Sequence, residues 1–462
     1  MSLLRKKNVN FIRDVSGHSQ LKKTLGAWDL LLMGIGAVVG TGIFVLTGIQ
    51  AATAAGPAVT LSFALAGVTC IFVALAYTEV ASTIPSSGGS YTYAYTSLGE
   101  IFAWIVGMLT ILQFCCGATT VAAGWSGYIV GILEQANIIL PKSFVHNPFE
   151  GGIIDLPAVF LCLLITSILV RGVEESTTLN NILVVIKLVA IFIFIAVAIP
   201  HFKMENVSNF MPYGITGVTA AAGAIFMAYT GFDAVANAAE ESKNPERDVT
   251  FGLIGSLLVC IVLYVMVAAA LTGIADYRLL NNSEPLAFAL KLNGSNIGGA
   301  LVAAGGIAGM TTVILFQIYA QTRIFMTMSR DGLLPKVFSV IHPKYKTPYL
   351  ATVIIGVCMA VVSGFIPIRI MGNLASMGTL SVFVFVVISA VRLRMLKPNL
   401  KRPFKCPGLY YVSALAVIFC GYLIYGLLES VGYIYLTWVA FTTLIYFLYS
   451  KWRADKVYAN NH

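Results

Sequence analysis

Gly34, Gly36, Gly40 and Gly42 place four glycines within nine residues of the first long apolar stretch, Gly34-Ile35-Gly36-Ala37-Val38-Val39-Gly40-Thr41-Gly42-Ile43-Phe44. A glycine inside a helix costs about 1 kcal/mol relative to alanine. In hydrocarbon an unwound turn also leaves backbone groups unpaired, so such a break persists only where protein, a wet cavity or a ligand satisfies it. A second interruption, Phe226-Met227-Ala228-Tyr229-Thr230-Gly231-Phe232-Asp233, lies in a later apolar run. An unwound turn offers N–H groups at the start of one half-helix, which attract an anion, and free carbonyls at the end of the other, which attract a cation. An α-amino acid zwitterion carries one charge of each sign. The expected carboxylate ligands are the N–H groups of Thr41, Gly42 and Ile43, with Gly40 and Gly42 bare so that the backbone can approach. The expected ammonium ligands are the carbonyls of Val38, Met227 and Thr230. The competing reading is that the glycines only permit close helix packing.

Two ionisable residues lie deep in apolar runs. Lys187 is followed by eight or more apolar residues, which makes snorkelling difficult. A charge at that depth costs about 2.5–3.5 kcal/mol on insertion scales and marks a functional position by default. It is expected to load and release a proton; the alternative is an ammonium pinned permanently to carbonyl groups. Asp233 is expected either to cap the second half of the interrupted helix or to face the substrate. Phe226, Tyr229 and Phe232 flank the second break and are read as gating or structural groups, and Tyr77 and Glu79, near the inner end of the second span, as helix-end and gating contacts. Gln113 and Gln317 lie at mid-span depth and are candidate pocket residues, with Tyr319 and Gln321 nearby, although such polar groups also serve as glue between helices.

These groups need long apolar elements to hold them. The chain has 462 residues, of which 58% are hydrophobic and 11% charged, against about 25% charged in a soluble protein. Apolar runs of membrane-spanning length recur from Trp28 to Trp452. The reading is an all-α polytopic membrane protein with twelve spans, near 28–54, 57–83, 98–131, 154–172, 178–200, 215–239, 249–274, 298–328, 349–366, 370–392, 409–428 and 432–451. The polar, basic stretch 1–24 is expected to remain attached on the cytoplasmic side. Setting aside Lys187, the lysines and arginines divide about 23 to 5 between alternate loops, which puts both termini in the cytoplasm by the positive-inside rule. That distribution, rather than the net charge of +9, argues against nucleic acid. The eight cysteines show no metal or disulfide spacing and read as small apolar residues. No metalloprotease, P-loop or nucleophile-elbow motif is present, so an enzyme is not expected.

The two interrupted spans are the first and the sixth. A five-span repeat has an odd number of crossings, so its second copy must be inverted, and paired interruptions at corresponding positions point to a carrier's midplane site. The chain resembles the amino acid–polyamine–organocation superfamily, and within it the cationic amino acid transporter family. The resemblance rests on the Gly34–Phe44 stretch, Ser87-Gly88-Gly89-Ser90-Tyr91-Thr92-Tyr93, Gly231-Phe232-Asp233, Glu240-Glu241-Ser242-Lys243-Asn244-Pro245-Glu246-Arg247-Asp248, and Gln321-Thr322-Arg323 with Met328-Ser329-Arg330-Asp331-Gly332-Leu333-Leu334-Pro335. It implies a LeuT-type fold: a first five-helix repeat over 25–200, an inverted second over 201–394, and two peripheral helices over 395–462. It implies secondary active transport of amino acids across the plasma membrane by alternating access, with protons as the coupling ion, Lys187 at the family's lysine position, and no other cofactor or metal. The expected partners are the amino acid and the lipid bilayer, with room for a small accessory membrane subunit or a bound sterol. Three departures stand out: Gln113 where relatives often carry glutamate, Met227 where an aromatic is common, and Arg247-Asp248-Val249-Thr250 where the motif usually ends in proline. The absence of an acid at 113 argues for small or neutral amino acids, or a broad range, while Asp233 keeps cationic substrates open. Exchange without net proton movement, and sensing with vestigial transport, are the other readings.

Overall fold

The computed structural model describes residues 4–7 and 23–461, excepting the side chains of 135, 173–179 and 457–461. The basic residues Arg13 and Lys22 of the N-terminal stretch, and His18 and His462, lie outside the described residues. The chain is helical throughout; among the described residues the one extended pairing is an isolated bridge between Leu25 and Ser242. Eight helical runs are long and apolar enough to cross a membrane, and two shorter apolar helices, Leu156–Arg171 and Tyr349–Phe365, lie where spans 4 and 9 are expected.

Two of the eight runs are too long for one crossing. Ala27–Thr83 has 57 residues and Leu409–Lys456 has 48, about 85 and 72 Å at helical rise against a hydrocarbon core of about 30 Å. The first run divides at Gly56, whose φ of +62° suits glycine, just before Pro57. In the second, the expected gap near 429–431 is not seen, and helical hydrogen bonding continues from Leu409 to Ile445. Its neighbours nevertheless reverse. Cys406, just before it, meets Arg394 at the far end of span 10. Ser430 meets Asn373 near that span's start, and Tyr435 then meets Ser381 further in. Two short buried helices, Gly89–Ser97 and Pro285–Leu292, were not anticipated and cover the ends of the bundle. Span 3 is longer than expected, at Glu100–Gln135.

The packing of spans 1–10 has a regularity. Spans 3 and 8, 2 and 7, and 4 and 9 pack against each other. Several other contacts come in pairs that interchange when span n is replaced by span n + 5: 5 with 8 and 10 with 3, 1 with 7 and 6 with 2, 4 with 8 and 9 with 3, 5 with 7 and 10 with 2; the packing of span 1 on span 8 has no counterpart of comparable extent. Spans 1 and 6 lie at the centre of this arrangement. The final helical run packs on spans 10, 2, 6 and 3, outside the exchange pattern.

Candidate functional site

Span 1 runs as helix from Ala27 to Val38, and Val39 then turns extended (φ −76°, ψ 100°). Helix resumes at Thr41 and continues as a π-helical turn over Gly42–Leu46. Among the described residues, the N–H groups of Thr41 and Gly42 meet no backbone or side-chain acceptor. The Ile43 N–H, expected to serve the same purpose, is already taken: with Phe44 it donates to the Gly40 carbonyl (3.1 and 3.2 Å). The anion cradle is therefore Thr41 and Gly42, beside the buried hydroxyl Oγ1 of Thr41, which also lacks a partner.

Span 6 runs over Gly214–Ala224, tightens to a 3-10 turn over Ile225–Tyr229, and unwinds at Thr230 (ψ 136°). Ser376 on span 10 serves this tightening: its hydroxyl accepts from the Met227 N–H (3.0 Å) and donates to the Ala224 carbonyl (3.3 Å). The Met227 carbonyl, an expected ammonium ligand, accepts from Thr230 N–H. The Thr230 hydroxyl pairs with that of Thr379 (3.0 Å). The two breaks lock into one another. A Cβ on Gly42 would lie 2.6 Å from Cα of Ala228, and one on Gly231 would lie 2.5 Å from the Ala37 carbonyl, at a φ of +122°. Gly40 is bare against Val313. Close packing thus accounts for these glycines directly, with access to the backbone as its consequence.

Lys187 is fully buried. Its Nζ lies within hydrogen-bond distance of four acceptors, the carbonyls of Ile35 (3.1 Å), Gly36 (2.9 Å) and Val39 (2.9 Å) and Oγ1 of Thr312 (3.0 Å), which share its N–H groups. It clasps the end of the first half of span 1, where the Val39 carbonyl lies at the break, the Gly36 carbonyl also accepts from Thr312, and the Ile35 carbonyl keeps its helical bond from Val39 N–H. Gly309 leaves space for its stem, since a Cβ there would lie 3.2 Å from Lys187 Cδ. An ammonium has three N–H donors and a neutral amine two, so loss of the proton would weaken this clasp.

Asp233 does not cap the short helix Ala234–Asn237, which has no side-chain cap. Its Oδ1 accepts from the Gly231 N–H and its Oδ2 from Nε2 of Gln113, each at 3.1 Å. The positive φ of Gly231 turns that N–H back toward the carboxylate, so the acid stabilises the unwound turn instead of the helix after it. Gln113, Gln317, Met227 and Thr230 are all buried around the breaks. Phe226 and Phe232 pack on Phe383, Phe232 also on Tyr77, and the Tyr229 hydroxyl donates to the Phe63 carbonyl. These aromatics brace span 6 against spans 2 and 10.

The end of the bundle carrying most of the basic loops is closed. Thr24 and Leu25 donate to the Glu241 carbonyl, and Lys243 donates back to Leu25, tying the start of span 1 to the end of span 6. Arg323 pairs with Glu241 (3.2 Å), both side chains buried, and Tyr319 donates to the same carboxylate. Glu79 holds Arg394, Arg402 and the Cys406 N–H, as expected for a helix-end contact. Arg5 meets Glu100 and Lys7 meets Asp331.

The sequence reading missed Tyr264. Its hydroxyl, on span 7, lies 2.8 Å from the Val38 carbonyl and 2.9 Å from that of Ala228, so one group fixes a carbonyl from each break. Its only signal was a lone phenol deep in an apolar run. Thr312, Ser376 and Thr379 were missed for the same reason: small hydroxyls are common in packed spans. Tyr264→Phe removes the one O–H that the two carbonyls share, at about 1–3 kcal/mol for an unsatisfied buried group. Amino acid affinity should fall about tenfold, with a lower melting temperature; unchanged affinity would show that Tyr264 does not position the site.

Two broken helices meeting at the centre of a helical membrane bundle define a carrier, not an enzyme. The amino acid permease family matches residues 25–449, and the chain belongs to that family, within the amino acid–polyamine–organocation superfamily. It is similar to the methylthioribose transporter of Bacillus subtilis (strain 168), at 42% identity over 97% of this chain and 98% of that one. It is similar to the branched-chain amino acid permease BcaP of the same organism, at 43% over 97% and 98%. It also resembles the chloroplastic cationic amino acid transporter 9 of Arabidopsis thaliana, at 38% over 83% and 68%.

Proposed function

We propose that the chain imports amino acids across the plasma membrane by alternating access, coupled to inward movement of protons. The observation that carries the substrate class is the pair of unwound turns packed on one another: the Thr41 and Gly42 amides without acceptors suit a carboxylate, and the carbonyls of Val38 and Thr230 at the same two breaks suit an ammonium. A thiosugar, the class named for one relative, carries neither charge and would leave this arrangement unused. The interchange of contacts between spans 1–5 and 6–10 supports two inverted repeats, with the reversals in the two longest runs giving twelve crossings and cytoplasmic termini. The closed, ion-paired basic end supports a gate that must part for release into the cytoplasm.

Lys187 supports proton coupling because its clasp depends on the number of N–H groups it carries. With the proton on, spans 1, 5 and 8 are tied; with it off, the first half of span 1 is freer to swing. In proteoliposomes, an inward proton gradient should drive accumulation of a labelled amino acid, and dissipating the gradient should abolish it. Accumulation indifferent to the gradient, with brisk exchange against internal amino acid, would favour an exchanger.

A further inference from the structure

Span 3 presents a bare face to the site. Gln113, Gly117 and Gly124 recur at helical spacing along it, and each meets a polar group from another element. A Cβ on Gly117 would lie 2.8 Å from Oε1 of Gln317, and one on Gly124 would lie 3.0 Å from Oγ1 of Thr41. Gln113, Gln317 and Thr41 are at most 1% exposed. Gln113 Oε1, Gln317 Oε1 and Thr41 Oγ1 all lack a hydrogen-bond partner among the described residues. Buried polar atoms are seldom left so, and three of them along one face of span 3, with Thr41 in the first break itself, mark where a ligand's own donors belong. Gln113 is oriented by its Nε2, which is committed to Asp233. It therefore turns an amide oxygen, not a carboxylate, toward the pocket, while the Asp233 charge is met by N–H groups of Gln113 and Gly231.

Resting on the amino acid reading above, we infer that the transported amino acid carries a neutral side chain with hydrogen-bond donors, a hydroxyl or a carboxamide, in preference to a branched aliphatic or cationic one. The head group is held by the two breaks. The side chain is selected by the oxygens of Gln113 and Gln317, and the Thr41 hydroxyl stands beside the head group's Thr41 and Gly42 amides. Met227, 4% exposed and lying against Gly372 and Thr120 (its sulfur would be 3.3 Å from a Cβ on Gly372), closes the far wall with an apolar surface.

The test uses the purified full-length chain and isosteric pairs: threonine with valine, glutamine with methionine, and serine with alanine, plus lysine and arginine, by competition against a labelled bound amino acid. A pocket built to bond a donor rejects the isostere that lacks it, so threonine, glutamine or serine should outcompete its partner by about tenfold or more. The same comparison in Gln317→Met should narrow that ratio; the wild-type comparison stands alone if this variant does not fold. Valine binding as well as threonine, or arginine or lysine binding more tightly than every neutral donor, would overturn the inference and leave amino acid transport standing. No amino acid binding while a thioribose does would overturn the amino acid reading and the inference with it.

Discussion

Lys187→Met is expected to abolish accumulation driven by a pH gradient in proteoliposomes, down to the passive leak, while exchange of labelled for unlabelled amino acid persists. The expectation follows from what the ammonium does. It is the one donor group reaching the carbonyls of Ile35, Gly36 and Val39 together, the point at which span 1 ceases to be helical. Methionine fills a similar volume and cannot carry the proton, so the clasp loses its two states and the coupled step its switch. Exchange needs only that the loaded carrier change its facing, which a permanently unclasped span 1 still allows. The carbonyls left behind each cost about 1–3 kcal/mol if unsatisfied, so a lower melting temperature should accompany the change. Thr312→Val, which removes one acceptor and leaves the proton carrier in place, should weaken coupling only in part. Full gradient-driven accumulation by Lys187→Met would show that the buried amine is a structural tie.

The second large effect belongs to Gly42→Ala. Its new methyl would lie 2.6 Å from the Ala228 Cα, and backbone cannot move aside as a flexible side chain could. Overpacking of this kind typically costs about 1–3 kcal/mol, here at the joint between the two broken helices. Substrate binding should be lost, and the substrate-free melting temperature should also fall. That second readout separates two accounts of the glycine. If it served only to let a carboxylate approach, the alanine variant would melt like wild type. Ala228→Gly removes the facing methyl, so the double variant should recover part of the lost stability; a double variant no more stable than Gly42→Ala would contradict a direct clash.

The breaks were legible because hydrocarbon makes them expensive: glycines at 40, 42 and 231, with an acid at 233, stand out against an apolar background. Lys187 was legible for the same reason. Its partners were not, since three of the four are backbone carbonyls, and carbonyls exist at every position. Of the two roles expected for Asp233, the cap is not seen, because Gly231 turns its N–H back toward the carboxylate, which the sequence does not reveal. Ile43 was expected to offer a free N–H, but a tight three-residue turn at the start of the resumed helix returns it to Gly40. Tyr264 could not be singled out among 21 tyrosines, because its importance lies in a position between two breaks that only the fold brings together. The apolar length of the final run, Leu409–Lys456, was legible, and the helix continuing through Glu429 and Ser430 was not.

The central claim is that the two unwound turns read the charged head group common to amino acids. The most direct measurement is binding to the purified protein of one amino acid, its methyl ester and its N-acetyl derivative, all with the same side chain. The ester removes the anion meant for Thr41 and Gly42, and acetylation removes the cation meant for the carbonyls of spans 1 and 6. Either change should lower affinity by about a hundredfold or more, as expected when a charged, hydrogen-bonded group is lost from a buried site. Binding of either derivative as tightly as the free amino acid would contradict the account.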